Sequence, residues 1–246
     1  MPPVPVRLGD HLCRGELIRR TSRFGALVRV SGTELYVHVP NSGRLGELMI
    51  PGVPVLVDRP EPAPARKTAG TLLLTEYGGQ WVSVDSRLPS RLFAASYRHL
   101  PPFKAYSVLK PEVGYGSSRL DFALAAQPWS GAAPPPGGDP PALLVEAKCC
   151  NRVEGDGTAL FPDAVTARGA RHLRELAAAV AQGYRAAVVF FILRHDALRL
   201  SPFDGTDPAF GAALRAAVAA GVEAYAWRCS VEPPHIAVAA PVPVIL

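Results

Sequence analysis

Two short segments decide the fold of this chain: 118–124, with the sequence SRLDFAL, and 143–148, with the sequence LLVEAK. Their polar residues recur at every second position, which is typical of β-strands. The connection 127–141 contains Pro-Pro-Pro-Gly-Gly and Asp-Pro-Pro and cannot form regular structure. The sequence therefore predicts a hairpin joined either by an inserted segment or by a mobile loop. We expect this loop to pack little, so that deletion of 130–138 would leave stability almost unchanged.

The register of this hairpin brings two carboxylates together. If Leu124 pairs with Leu143, counting along the strands sets Asp121 opposite Glu146. Their Cβ atoms would lie about 4.5 to 5.5 Å apart on one face. Such a pair of like charges is destabilising unless a cation occupies the gap. The alternation places Lys148 and Arg119 on the same face as the two carboxylates. Phe122, Val145 and Ala147 face the other side.

Two carboxylates and a lysine are the groups that phosphodiester hydrolysis requires. Asp121 and Glu146 could bind a hard divalent ion, with Mg²⁺ expected and Mn²⁺ a substitute, and Lys148 could orient water or stabilise developing charge. Glu112 could be a further metal ligand or could polarise a second water. The alternative is a surface hairpin on which these charges form only a ladder of salt bridges.

Upstream of the hairpin the chain shows a series of short β-type segments separated by turn signals. They lie at 16–19, 24–30, 34–39, 53–58, 71–77 and 81–85. The pattern predicts a small closed barrel of the OB type, with an SH3-like barrel as the near alternative. A helix is predicted at 86–97, with Asp85 or Ser86 as its cap. We therefore expect a barrel domain at 1–85 and a second domain at 86–246.

Downstream of the hairpin, strands and helices alternate. Helices are predicted at 166–182 and 208–220, and strands at 186–193 and 222–228. Alternation of this kind implies parallel βαβ units on a sheet that begins with the antiparallel hairpin. The predicted fold class is therefore mixed α/β, with a small OB-like barrel followed by a domain with a mixed central sheet.

Composition narrows the class of protein further. A net charge of +5 permits an anionic partner, and the four cysteines lack the spacing of a zinc site. The longest uncharged apolar run, 186–193, is too short to span a bilayer, and the N-terminus has no apolar signal core, so we expect a cytoplasmic protein. Phosphate-loop, dinucleotide and nucleophile-elbow patterns are absent, which argues against kinases, dehydrogenases and α/β-hydrolases. A homodimer is compatible with the sequence.

Candidate phosphate contacts occur in both domains. On the helix at 166–182, Arg168 and Arg171 share a polar face with His172 and Glu175, and Asp163 precedes the helix. These two arginines could hold a DNA phosphate, or the face could simply be solvated. The six histidines of the chain lack metal-ligand spacing, and none is assigned to catalysis.

In the barrel, basic residues lie in or beside predicted turns, and aromatic residues lie in the neighbouring strands. The basic residues are Arg23, Arg44, Arg66 and Lys67, and the aromatic residues are Phe24, Tyr36, Tyr77 and Trp81. OB barrels stack bases on such aromatic rings above a basic groove, although the rings could equally belong to the core. The turn at 40–43, which includes Asn41, either presents backbone N–H groups to a phosphate or is only a tight turn.

Five motifs, in this order, resemble the sugar fermentation stimulation protein A family. They are HVPNSG at 38–43, SVDSRLPSRL at 83–92, SRLDF at 118–122, VEAK at 145–148 and LFPDAVT at 160–166. The resemblance runs from about residue 16 to residue 228. It implies an N-terminal OB-like barrel, a C-terminal domain similar to PD-(D/E)XK (restriction-endonuclease-like) nucleases, DNA binding and a role in regulating sugar-use genes.

The resemblance also implies roles for individual residues. Asp121 takes the position of the metal-binding aspartate, Glu146 that of the glutamate and Lys148 that of the lysine in the Glu-x-Lys element. The sequence departs from the family pattern directly after this lysine, where it reads Cys-Cys-Asn, and in its longer Pro-rich connection. The expectation is a DNA-binding protein with a metal-dependent nuclease site, or a DNA-binding regulator that does not cut.

Overall fold

The barrel predicted for the N-terminal part is present. A computed structural model describes residues 4–61 and 67–246, so Arg66 lies outside the described residues. A first short strand, β1, belongs to the second domain. In chain order the strands up to the first helix are β1 (Val6–Arg7), β2 (Leu12–Ser22), β3 (Gly25–Val30), β4 (Thr33–His38), β5 (Pro54–Asp58), β6 (Thr71–Tyr77) and β7 (Gln80–Ser83).

The barrel closes through a single parallel bridge. Strands β2 to β7 form one sheet in the order β4-β3-β2-β5-β6-β7, and β4 also pairs with β6 where His38 lies opposite Thr71. This bridge gives β4, the first strand of that order, a second neighbour, and the alternating apolar residues of these strands fill the interior. Leu17, Val28, Val37, Val55 and Leu72 are among the residues fully buried there.

The predicted connecting helix is present but starts later than expected. Helix α1 covers Leu88–Ser96, and a 3-10 turn, Tyr97–His99, follows it. Neither predicted cap residue is its N-cap, which is Arg87. The Asp85 carboxylate instead accepts hydrogen bonds from the Arg87 backbone and guanidinium.

The second domain is built on a seven-stranded mixed sheet in the order β1-β16-β15-β13-β10-β9-β8. Its inner strands β10, β13 and β15 are parallel, and β9 pairs antiparallel with β10, which confirms the predicted mixed sheet. The remaining strands are β8 (Val108–Tyr115), β9 (Ser118–Ala125), β10 (Leu143–Cys150), β11 (Arg152–Val153), β12 (Thr158–Phe161), β13 (Arg185–Ile192), β14 (Arg199–Pro202), β15 (Glu223–Glu232) and β16 (His235–Val242). Strands β11, β12 and β14 form a separate small sheet.

Helices cover both faces of the seven-stranded sheet. Helix α2 (Ala167–Ala181) is capped by the Thr166 side chain and α3 (Pro208–Ala219) by the Asp207 side chain. These two helices bury one face of the sheet through residues such as Leu173 and Leu214. The opposite face packs against α1 through residues such as Phe93. Among the described residues, no helix is both long and apolar enough to cross a membrane.

The Pro-rich connection between β9 and β10 packs against the domain at Trp129, Ala133 and Pro134, whereas most of 130–138 is exposed, so the expectation that it would pack little is wrong at these three residues. Trp129 packs against the core on the α2 side, its carbonyl accepts a hydrogen bond from Lys110 Nζ at 2.7 Å, and Lys110 Nζ lies 4.3 Å from its ring centroid. The Tyr184 hydroxyl donates to the Pro134 carbonyl at 2.7 Å, and Tyr106 donates in the same way to Pro141. Composition alone did not reveal these docking contacts, because the partner residues are distant in sequence.

We predict that Trp129→Ala lowers the free energy of unfolding by about 2 kcal/mol, because a half-buried indole and its cation–π contact are lost. Urea denaturation of the variant and the wild type measures the difference. Gln127→Ala, at an exposed position of the same segment, is the control and should change stability by less than about 0.5 kcal/mol. Wild-type stability in the Trp129 variant would show that the segment does not pack.

Candidate functional site

The two predicted carboxylates lie where strands β9 and β10 separate. Leu124 pairs with Leu143 and Phe122 with Val145, which is the register expected from the sequence. The ladder ends there. Instead of a further backbone bond, the Ala147 N–H donates to Asp121 Oδ2 at 2.8 Å. The Asp121 side chain therefore replaces the next rung of the ladder and is fixed beside β10.

The two faces of this hairpin have different partners, as the alternation predicted. Phe122 and Val145 belong to the core that packs on α1. Ala123 and Leu144 belong to the opposite core, against α2 and α3. Side chains alternate along a strand, and Asp121 comes one residue before Phe122, as Glu146 comes one residue after Val145. Both carboxylates therefore project towards α2.

Glu146 is almost fully buried and is held by two side chains. It is 5% exposed, and its Oε1 accepts hydrogen bonds from Lys148 Nζ at 2.6 Å and from His172 Nδ1. Its Oε2 has no hydrogen-bond partner among the described residues. A buried carboxylate oxygen without a donor is costly, so this atom is the place where an additional cation or donor would be stabilised.

His172 is a residue that the sequence analysis did not assign. It lies on α2, is 1% exposed, and its second ring nitrogen, Nε2, accepts a hydrogen bond from Arg168 Nε at 3.3 Å. Both contacts fit the neutral ring with its hydrogen on Nδ1. Arg168 and His172 are four residues apart and therefore adjacent on one helix face. That spacing was visible in the sequence, but the buried carboxylate it faces was not.

The pKa values of the two carboxylates shift in opposite directions, because hydrogen bonds and nearby charges outweigh burial at Glu146 but not at Asp121. Burial raises the pKa of Asp121 to about 6, the charge of Glu146 adds to this, and the Ala147 N–H opposes it. Burial also acts against the charged form of Glu146, but hydrogen bonds from His172 and Lys148 outweigh it, and the pKa of Glu146 falls below its usual value. Asp121 is therefore the member of the pair that is more readily protonated.

The carboxylates open into a cleft of about 430 Å³ between the two domains. The barrel contributes Arg23 and 41–43, the start of α1 contributes Pro89 and Ser90, and α2 contributes Arg168. Asp121, Glu146, Lys148 and Asp163 line the side formed by the second domain. The structure thus brings the predicted Asp-Glu-Lys set together with three of the predicted phosphate contacts, Arg23, Asn41 and Arg168.

Hydrogen bonds within the barrel and across the domain boundary hold the cleft walls in place. The buried Asn41 side chain donates to the Val84 carbonyl at 3.1 Å and to Asn151 Oδ1 at 3.4 Å, and it accepts from the Gly43 N–H at 2.8 Å. A Cβ atom at Gly43 would lie 2.5 Å from the Asp163 carboxylate, so any larger residue there would have to displace that carboxylate. Asn41 therefore has a structural role at the boundary, a role that the sequence analysis did not assign.

A second cavity of about 610 Å³ continues from the cleft along the barrel. Arg23 lines both cavities, and Arg44 lines the second. Arg20, which the sequence analysis missed, donates to the carbonyls of Arg23, Asn41 and Arg44. This single guanidinium fixes the two loops that carry the exposed arginines.

Four predicted residues line neither of these two cavities. Glu112 is 69% exposed on β8, has a φ of 54° and pairs with Arg119, which is itself 66% exposed. Arg171 donates to Ser118 Oγ at 3.2 Å. Lys67 is exposed on the barrel. Glu112 is therefore not brought to the carboxylate pair, because the local left-handed backbone and the pairing with Arg119 hold it at the surface.

The donor set fits one kind of ion. Among the described residues, no cluster of three or more His, Cys, Asp or Glu could hold a metal, which does not suit zinc. Mg²⁺ and related hard cations need only one or two carboxylates, and water or substrate phosphate oxygens complete the shell. Asp121 and the unpartnered Oε2 of Glu146 meet that requirement.

Fold and cleft together define a class: a protein with an N-terminal OB barrel and a mixed-sheet α/β domain that share a carboxylate-lined cleft. Comparison with known families gives the same division. Residues 18–84 match the profile described as SfsA N-terminal OB domain, and residues 87–235 match that of the sugar fermentation stimulation protein RE domain. The chain belongs to the sugar fermentation stimulation protein (SfsA) family.

Relatives are similar over the full chain. The sugar fermentation stimulation protein homolog of Moorella thermoacetica is 44% identical, with 98% of this chain and 100% of the relative covered. The sugar fermentation stimulation protein homolog of Geobacter metallireducens is 39% identical, again with 98% of this chain and 100% of the relative covered. A solved structure of Pyrococcus furiosus SfsA in complex with Ca²⁺ matches with a TM-score of 0.84 and 28% identity, covering 98% of this chain and 100% of that one.

We predict that Asp121→Asn raises stability at neutral pH when divalent ions are removed by a chelator. The pKa of Asp121 in the folded protein, about 6, lies above the unfolded value of about 3.9, so its ionisation opposes folding. The stabilising contribution of Asp121 is complete below about pH 4 and is lost as the pH rises through about 6.

Thermal melting from pH 4 to pH 8 measures this effect. The difference between the Asn variant and the wild type should grow with pH towards about 3 kcal/mol. Asp10→Asn, at a carboxylate that is 76% exposed, is the control. Parallel curves for Asp121→Asn and the wild type would contradict the buried, charge-coupled state of this residue.

Proposed function

We propose that this protein binds DNA and hydrolyses its phosphodiester bonds with a divalent ion held by Asp121 and Glu146. The observation that carries the proposal is the buried pair of carboxylates, with Lys148 beside it, at the base of a cleft between two domains. A cleft that only bound DNA would gain nothing from clustered carboxylates, because they repel phosphate. The Ca²⁺ bound by the Pyrococcus furiosus relative adds support for an ion in this family.

In such a reaction, the residues of the cleft have different roles. When bound, Mg²⁺ or Mn²⁺ would polarise the phosphate and lower the pKa of a water. Asp121 and Glu146 supply its protein ligands. Lys148 orients the attacking water or stabilises the charge that develops on the phosphate. Arg23 and Arg168, on opposite walls of the cleft, hold the flanking phosphates.

His172 and Arg168 contribute a positioning role. His172 binds Glu146 Oε1, and this leaves Oε2 as the oxygen available to an ion. Arg168 in turn donates to the His172 ring and fixes its orientation. Hydrogen bonds of this kind to metal-ligating carboxylates typically change metal affinity 10- to 100-fold when they are lost.

One observation favours a second function, a DNA-binding regulator of sugar-use genes that does not cut. Lys148 Nζ already lies 2.6 Å from Glu146 Oε1, and both side chains are largely buried. An ion pair of this kind is satisfied without a metal. In that case the carboxylates would be structural, and DNA would be held by the arginines alone.

Removing the Lys148 side chain separates the two functions. If it acts in the reaction, Lys148→Ala should lose cleavage by roughly 100-fold or more and keep most of its DNA affinity. A labelled DNA incubated with Mg²⁺, with Mn²⁺ and with chelator measures cutting, and the same DNA measures binding. Lys104→Ala, an exposed lysine outside the cleft, is the control. A loss of binding that fully accounts for any loss of cleavage would contradict the catalytic role.

We further predict that His172→Ala reduces metal affinity about 10- to 100-fold while the protein stays folded. The rise in melting temperature with Ca²⁺ concentration measures this, because an ion that binds only the folded state stabilises it. His172→Asn, which retains a donor, should recover part of the effect, and His99→Ala at an exposed position should match the wild type. An unchanged calcium response in His172→Ala would rule out the positioning role.

A further inference from the structure

Three rings form a cluster on the outside of the barrel, beside the cleft. They belong to Phe24, Tyr36 and His38, and we call them the aromatic patch. Phe24 is 49% exposed and Tyr36 44% exposed, although rings of this size usually lie in the core. The apolar core of the barrel contains none of the three.

Strand pairing holds the patch together. Gly25 pairs with His38 on the neighbouring strand. A Cβ atom at Gly25 would lie 2.2 Å from the Tyr36 hydroxyl, so the tyrosine crosses the strand directly over this glycine. The rings of Phe24 and His38 stack with centroids 6.3 Å apart, and His38 Nδ1 donates to the Phe24 carbonyl at 3.1 Å. The patch is therefore preformed and needs no rearrangement to present its rings.

The other candidate aromatics of the barrel have internal partners. Tyr77 is covered by Arg194, whose guanidinium lies 4.4 Å from its ring centroid. Trp81 is partly buried against the core beneath α1, and Arg14 lies over its ring. Of the four aromatics proposed from the sequence, Phe24 and Tyr36 are the two that are substantially exposed and that have no such cation over the ring among the described residues.

The charges beside the patch are positive. Arg23 directly precedes Phe24 and lines both cavities of the cleft. On the other side, the Ala69 N–H donates to the Tyr36 carbonyl at 2.8 Å, so the segment that starts with the exposed Lys67 runs along β4. The acidic residue of β4, Glu34, pairs with Arg29 at the far end of the strand. The patch thus continues the cleft and offers both rings and cations to an anionic chain.

We propose that the aromatic patch stacks unpaired bases of single-stranded DNA whose backbone passes Arg23 into the cleft. The inference rests on the proposed function, since it names the form of DNA that the cleft receives. Ring faces bind any unpaired base, whereas bases in a duplex are already stacked on one another and cannot reach the rings. Each stacked base contributes roughly 5- to 150-fold in affinity.

Binding measured without metal tests the patch independently of cleavage. The probes are a fluorescein-labelled 20-nucleotide oligothymidine and a labelled duplex of the same length, both with chelator present. Phe24→Ala and Tyr36→Ala should each weaken oligothymidine binding at least about fivefold, and the double variant should weaken it further. Phe24→Trp should restore binding, because it retains a ring face. Duplex affinity should change less than twofold.

Ile50→Ala is the matched control, because Ile50 is 48% exposed on the same domain but is aliphatic and outside the patch. Melting temperatures verify that each variant is folded. Unchanged oligothymidine binding in the double variant would overturn the inference. Equal losses of affinity for the duplex and the single strand would also overturn it, as would a changed oligomeric state of the double variant on size exclusion. A protein that never cuts DNA but shows the predicted single-strand loss would refute the nuclease proposal and leave the patch intact.

Discussion

The close approach of two carboxylates at the end of the β9–β10 ladder is the constraint that organises this protein. Asp121 and Glu146 repel each other in a site where water screens them poorly. The surroundings counter that repulsion with a backbone N–H from Ala147, a lysine two residues further along β10, and His172 from α2. These contacts donate three hydrogen bonds to carboxylate oxygens, and Glu146 Oε2 is left without a partner among the described residues. The fold thus maintains an unbalanced negative site, which is the condition that favours a bound cation.

The barrel forms part of the wall of the cleft into which this site opens. Its loop at 41–44 reaches the second domain through the amides of Asn41 and Asn151 and through the contact of Gly43 with Asp163. Arg20 fixes the same loop from behind. Arg20 thus links the two segments that carry Arg23, which lines the carboxylate cleft, and Arg44, which lines the adjoining cavity.

Much of the site followed from the sequence because it depends on local rules. Period-two alternation and one pairing assumption were enough to set Asp121 beside Glu146 and Lys148. What the sequence did not reveal depends on tertiary contact. His172 was placed on a polar helix face that either contacts phosphate or is solvated, since nothing local showed that this face covers a buried carboxylate. Glu112 was expected near the ion, but a left-handed backbone at that position holds its side chain at the surface.

The most direct test of the account is the position of a bound ion. Crystals of the protein, grown without metal and soaked in Mn²⁺, can be measured at a wavelength where manganese scatters anomalously. We expect one strong anomalous peak, with oxygens of both Asp121 and Glu146 within about 2.0 to 2.6 Å of it, the range for hard divalent cations. A map without a peak there, with Glu146 still bound to Lys148 and His172, would contradict it.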